Sequence, residues 1–235
     1  MPRRSAPTAL AVTALAVLAL SFFAADALSP AGTGPLPATA TPHTSTVGTP
    51  PASVLSSEQL RDRLLGESDL GRGYTLKPEQ AAAERDDVTV IGCPALEHLG
   101  GQAGAGGPLA FPNRATAAFT HTGDSGGELS VELYSDTPAR LAEGTGQIFA
   151  AMASCPLYQV VIGSTPVKVT THKLPATALG DEQWSHLLTF TAAGRDTLLK
   201  QTAIRAGTVL VVVSGSPGLV DTHIEKALAK AATSN

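Results

Sequence analysis

Residues 121–130 read HTGDSGGELS, and Gly123-Asp124-Ser125-Gly126-Gly127 sets a serine hydroxyl among glycines. A serine attacks carbonyl carbon when a base lies within hydrogen-bond reach, a third group orients that base, and N–H donors meet the developing oxyanion. His121 is the nearest such base, and His43 and His98 are the other upstream histidines. A second constellation is His172 and His186, which on neighbouring strands would need a third ligand such as Asp181 or Glu182 to hold a metal. The third is a pair of thiols, Cys93 and Cys155.

The Gly-Asp-Ser-Gly-Gly stretch is similar to the nucleophile segment of trypsin-like proteases, which would make this a serine hydrolase using Ser125. The surroundings argue against it. In that fold the serine comes late, after the histidine and the aspartate, whereas Ser125 comes early in the folded segment. No upstream histidine stands in an Ala-Ala-His-Cys setting, and Glu128 occupies a place where proline is usual. The stretch is therefore predicted to be a loop, rich in the Gly, Asp and Ser that hairpin turns use, and no catalytic residue is assigned. Isolated strand histidines are commonly core or surface groups, so no metal site and no cofactor is predicted. Walker, G-x-S-x-G and zincin motifs do not occur.

The compartment is written in the first 54 residues. Arg3 and Arg4 precede an uncharged apolar run from Thr8 to Ala25, and Ala25-Asp26-Ala27 has small residues where signal peptidase reads them. Residues 1–27 are predicted to be a secretory signal peptide; the alternative is an uncleaved membrane anchor, since the run approaches spanning length. Residues 28–54, rich in Pro, Thr, Gly, Ala and Ser, read as a disordered linker without a periodic apolar face. Residues 55–235 are left for a single domain. Outside the cytoplasm, two cysteines most simply form one disulfide, and neither has a C-x-x-C partner for metal. The net charge of −4 and the lack of a basic stripe exclude nucleic acid as an expected partner. The low aromatic content with abundant Ala and Gly points to an actinobacterial source.

The elements that must position these groups follow from periodicity. Ser56 and Gln59 stand at capping-box spacing ahead of a helix ending near Gly66. A short polar helix is expected at Glu79 to Arg85, a strand at Val88 to Ile91, a helical turn at Pro94 to Leu99, and a glycine-rich loop after it. Ala115, Ala117 and Phe119, then Leu129, Val131 and Leu133, alternate with mostly polar residues, which predicts a hairpin with one buried face. Thr137 and Pro138 begin a long helix. Its stripe Leu141, Thr145, Ile148, Met152 and Cys155 faces the core, while Gly144 and Gly146 suggest close packing. Strands are expected around Val167 to Thr171 and Trp184 to Phe190, then at Thr197 to Arg205 and Thr208 to Val213. A last helix is expected with Thr222 and Glu225 as its capping box. The fold class is α+β, an antiparallel sheet with packed helices.

LLGESDLGRGYTL, with Leu64, Leu65, Asp69, Leu70, Gly71 and Tyr74, resembles the opening of the PknH-like extracellular sensor domain family. That family occurs behind mycobacterial receptor kinases and in stand-alone exported actinobacterial proteins. Leu174-Pro175, Leu179-Gly180-Asp181-Glu182 and the RAGTVLVVVSG meander are similar to its later segments, and Cys93 and Cys155 look like one of its disulfides. The resemblance implies a compact α+β domain with a cleft, a non-catalytic sensor or ligand-binding role, and a location that is extracellular or in the cell envelope. Its partner would be an unknown extracellular ligand or an envelope protein, with membrane contact only through an uncleaved N-terminal segment. An envelope protein-interaction module is the alternative. The chain lacks the cysteines for the second disulfide common in that family, and with no kinase expected ahead of the domain any signal would need a separate partner.

Overall fold

The computed structural model of the chain describes residues 53–78, 88–104, 111–123, 127–175 and 177–233. The proposed signal peptide, nearly all of the proposed linker, the helix expected at Glu79 to Arg85 and Ser125 lie outside them. In chain order the elements are α1 (Ser57–Asp62), α2 (Glu67–Leu70), β1 (Tyr74–Leu76), β2 (Val88–Ile91), α3 (Pro94–Gly104), β3 (Asn113–His121) and β4 (Gly127–Ser135). Then follow α4 (Pro138–Ser154), β5 (Leu157–Ile162), β6 (Thr165–Lys173), β7 (Glu182–Ala192), β8 (Arg195–Ala206), β9 (Val209–Gly215) and α5 (Pro217–Ala231).

The strands form one antiparallel sheet in the order β1-β3-β4-β9-β8-β7-β6-β5-β2. Period 2 sends alternate side chains to opposite faces, and each face is covered by helices. On one face Leu129, Val131, Leu133, Val211 and Val213 meet Leu60 of α1 and Val220, Ile224 and Ala227 of α5. On the other, Leu210, Val212, Ala203, Leu188 and Val169 meet Leu141, Ile148, Phe149 and Met152 of α4. β9 lies between the two cores, and so every residue of VLVVVSG is buried.

Local chemistry explains the element boundaries. Ser56 and Gln59 make the expected reciprocal cap on α1. Thr137 accepts from the Arg140 N–H ahead of Pro138, and all the expected α4 stripe residues are buried. The Cys93–Cys155 disulfide, Cα–Cα 5.6 Å, joins the start of α3 to the residue that ends α4. The anchoring ends match the sequence reading, and the irregular stretches depart from it. α3 continues through Gly100 to Gly104, past the single turn expected. β1 and β5, which the sequence reading did not assign, add two strands. α5 begins at Pro217, and Thr222 sits inside it with its hydroxyl donating to the Gly218 carbonyl, so it is not the cap. A Cβ added at Gly146 would meet nothing within 4 Å, so that glycine is not there for close packing.

Candidate functional site

On the sheet face that α4 packs against, polar side chains also turn inward. Ser130 on β4 stands opposite Ser214 on β9, Ser214 opposite Gln201 on β8, and Gln201 opposite His186 on β7. Residues paired in this way share a face, so the four form a row across the strands of roughly 14 Å, three inter-strand spacings. Glu132 lies on the same face one step along β4, in a second row with Val212, Ala203 and Trp184. Thr145 is buried on the inward stripe of α4, the helix packed against this face. Relative exposure is 4% at Ser130, 2% at Glu132, 1% at His186 and 0% at Gln201 and Thr145.

Inside a protein, such groups are normally paired. Here the Gln201 amide nitrogen donates to Ser214 Oγ at 3.3 Å, but Gln201 Oε1 has no partner. Ser130 Oγ, Glu132 Oε1, Thr145 Oγ1 and His186 Nδ1 are likewise buried and unpartnered. Each group left this way costs about 1–3 kcal/mol, so five of them are together a large concession in a domain of ordinary stability.

Burial weighs against charge at both ionisable groups of the site. Burial pushes the Glu132 carboxyl up to about 7, against the pull of the Tyr134 hydroxyl, which donates to Glu132 Oε2, and of Arg114. Burial also raises Tyr134 far above its ordinary range, reinforced by Glu132. His186 is held down at about 4 by burial and by Lys173, and its ring packs on Phe149 with centroids 4.8 Å apart. Trp184, half-buried, lies 6.3 Å from Phe149. The margins of this face open to solvent: Thr116, opposite Glu132 on β3, and Lys173, opposite His186 on β6, are exposed.

The groups singled out from sequence are distributed differently. His172 pairs with Leu187 and is exposed, whereas His186 points to the opposite, buried face, so the two cannot share an ion. Asp181 and Glu182 are engaged elsewhere, both ion-paired with Arg205 at 2.9 and 3.0 Å. Ser125 lies outside the described residues. His121, the base it would need, stacks on Tyr74 with centroids 4.5 Å apart, and its Nδ1 accepts from the Gly123 N–H at 3.3 Å. Among the described residues, no carboxylate orients this imidazole.

The motifs that carry the family resemblance prove architectural. Asp69 caps the Gly66 N–H at 2.8 Å and pairs with Lys230 of α5 at 2.6 Å, which holds its carboxyl below the usual range. The Tyr74 hydroxyl meets His223 Nε2 at 2.7 Å, again joining the opening segment to α5. Gly180 has φ +67°, and a Cβ there would stand 2.6 Å from the Arg205 carbonyl oxygen. Asp181 then accepts from the Gly207 N–H, closing the β7 lead-in onto the β8–β9 turn.

No family model and no curated protein matches the chain. Solved structures do. The extracellular domain of PknH from Mycobacterium tuberculosis superposes with TM-score 0.58 at 13% identity, covering 76% of this chain and 97% of that one. A putative uncharacterized protein (Rv0999 ortholog) from Mycobacterium smegmatis gives TM-score 0.39 at 12% identity, covering 70% and 92%. The chain thus has the fold of the PknH extracellular domain, as the sequence resemblance implied.

Proposed function

We propose that residues 55–235 form an exported, non-catalytic sensor-like domain that binds a ligand on the sheet face carrying Ser130, Glu132, Gln201 and His186. The observation that carries this reading is the set of five buried, unpartnered polar atoms contributed by four elements, β4, β7, β8 and α4. A bound molecule supplying their hydrogen bonds would relieve the cost of leaving them unmade. The fold of an extracellular domain and the buried Cys93–Cys155 bridge support a location outside the cytoplasm, where disulfides persist. The leader and the Pro/Thr-rich segment are consistent with that location. Engagement of His121 by Tyr74 and Gly123 supports the non-catalytic reading over a Ser125 hydrolase.

The test is a thermal-shift screen of the secreted domain against cell-wall fragments, lipids and small metabolites, run in parallel on Gln201→Leu. A ligand that stabilises the native protein and loses that effect in the variant supports the site. A stabilising ligand that Gln201→Leu does not affect refutes it, and so does silence across the panel. Fluorophosphonate labelling that disappears in Ser125→Ala would overturn the non-catalytic reading.

A further inference from the structure

The sheet ends in two edge strands, β1 and β2. An edge presents backbone groups that no neighbouring strand bonds, and folded proteins close such edges or pair them. Here the two ends differ. β1 is three residues long, and just beyond it the Lys77 N–H bonds the Ala118 carbonyl of β3. Alternate N–H groups of a strand point to opposite sides, so the Leu76 N–H faces outward, where Glu67 Oε1 accepts it at 2.6 Å. Lys77 itself is ion-paired with Glu128 at 2.8 Å. That edge is closed by a carboxylate and a charged flank. β2 is Val88-Thr89-Val90-Ile91, β-branched throughout, with no proline and no charge. Among the described residues, β5 is its one strand partner. Thr89 and Ile91 are exposed. Ile91 stands opposite Gln159, two residues from Leu157 on the same sheet face, and Ile91 and Leu157 are each about half-exposed.

This strand is complementary to itself. A two-fold axis at Val90 pairs β2 antiparallel with a second β2 and keeps every side chain on its own face. Val90 then meets Val90 of the other copy on the face shared with Val160 and α4. Ile91 of each copy stands opposite Thr89 of the other, and the two Ile91 side chains lie on a diagonal of roughly 7–8 Å. No like charges meet, because the strand carries none. Four residues a side bury far less than the roughly 800 Å² per partner of a standard stable complex, so such pairing is reversible and depends on concentration. We infer that β2 is the docking edge for a second copy of this chain, joined β2 to β2 into one continuous sheet.

Sedimentation velocity of the secreted protein at rising concentration tests this. The expected result is a monomer–dimer equilibrium whose dissociation constant rises roughly tenfold or more in Ile91→Lys, since the seam carries the lysine twice. Ile91 is half-exposed, so the variant keeps its fold, checked by an unchanged Tm and an intact Cys93–Cys155 bridge. Thr89→Lys serves if it does not. Leu198→Lys is the control: Leu198 is equally exposed and shares a row with Leu157, but it lies on β8, three strands from β5. It should leave the equilibrium unchanged. Hydrogen exchange at the β2 amides should slow as the dimer forms. A protein that stays monomeric at every concentration overturns the inference, and so does a dimer that Ile91→Lys leaves intact. A dimer weakened as much by Leu198→Lys also overturns it, because the sheet faces would then be stacking instead.

Discussion

Glu132 and His186 should pull the pH dependence of stability in opposite directions, and single substitutions should expose each pull. The Glu132 carboxyl rises from 4.5 to about 7 on folding. Between those values the native state holds a proton that the unfolded chain has released, so Glu132 contributes stability at low pH that is lost as pH rises through about 7. His186 falls from 6.5 to about 4. Between those values the unfolded chain holds the extra proton, so its contribution is present above pH 6.5 and lost as pH falls towards 4. Each shift, taken whole, corresponds to at most roughly 3 kcal/mol. Because the windows overlap between about pH 4.5 and 6.5, the wild-type contributions largely cancel there. Glu132→Gln should therefore make stability climb with pH across pH 4–6.5, while His186→Gln should make it decline across pH 4.5–7. Urea unfolding at half-unit pH intervals, with a common m-value, measures both. Parallel pH profiles for wild type and both variants would refute the burial argument for these two groups.

Thr145→Val removes a buried, unpartnered hydroxyl while keeping its shape, at nearly equal helix propensity. It should stabilise the domain by about 1–3 kcal/mol; calorimetry showing a lowered Tm would reveal a hidden partner for Oγ1. Replacing both Cys93 and Cys155 with Ala opens a loop of sequence separation 62 and should cost about 4 kcal/mol in urea unfolding. A loss below 1 kcal/mol would contradict that estimate. Gly180→Ala sets a Cβ against the Arg205 carbonyl at positive φ and should cost about 2 kcal/mol or more, read by thermal melting. An unchanged Tm would contradict it.

Much of the scaffold was legible because it depends on local chemistry. The Ser56–Gln59 box, Thr137-Pro138 and the α4 stripe each encode one end or one side of a helix within a few residues. β1 escaped because three residues cannot show a period, and its pairing to β3 comes from tertiary contact. β5 escaped because LYQVVI alternates poorly beside the Pro156 break. The candidate site escaped for a different reason. The alternation in β4 predicts a hairpin with one buried face and polar residues facing solvent, but Ser130 and Glu132 are as buried as Leu129, Val131 and Leu133 beside them. The corrective signal lies in β9. An unbroken Val209-Leu210-Val211-Val212-Val213 implies cover on both faces, and a strand bonded to such a neighbour has no solvent side to offer. What the one-dimensional chain could not supply was that β4, rather than an edge strand, is that neighbour.

The chain joins the domain at a defined place. The Ser53 carbonyl accepts from Thr208 Oγ1 at 3.0 Å, and the Leu55 N–H donates to Ser135 Oγ at 2.8 Å, at the last residue of β4. The β3–β4 connection, between His121 and Gly127, leaves from the other end of the same nine-residue strand, roughly 27 Å away. Whatever holds the segment ahead of Ser53 therefore grips one end of β4, and the strand ends at His121 and Gly127 lie at the far one.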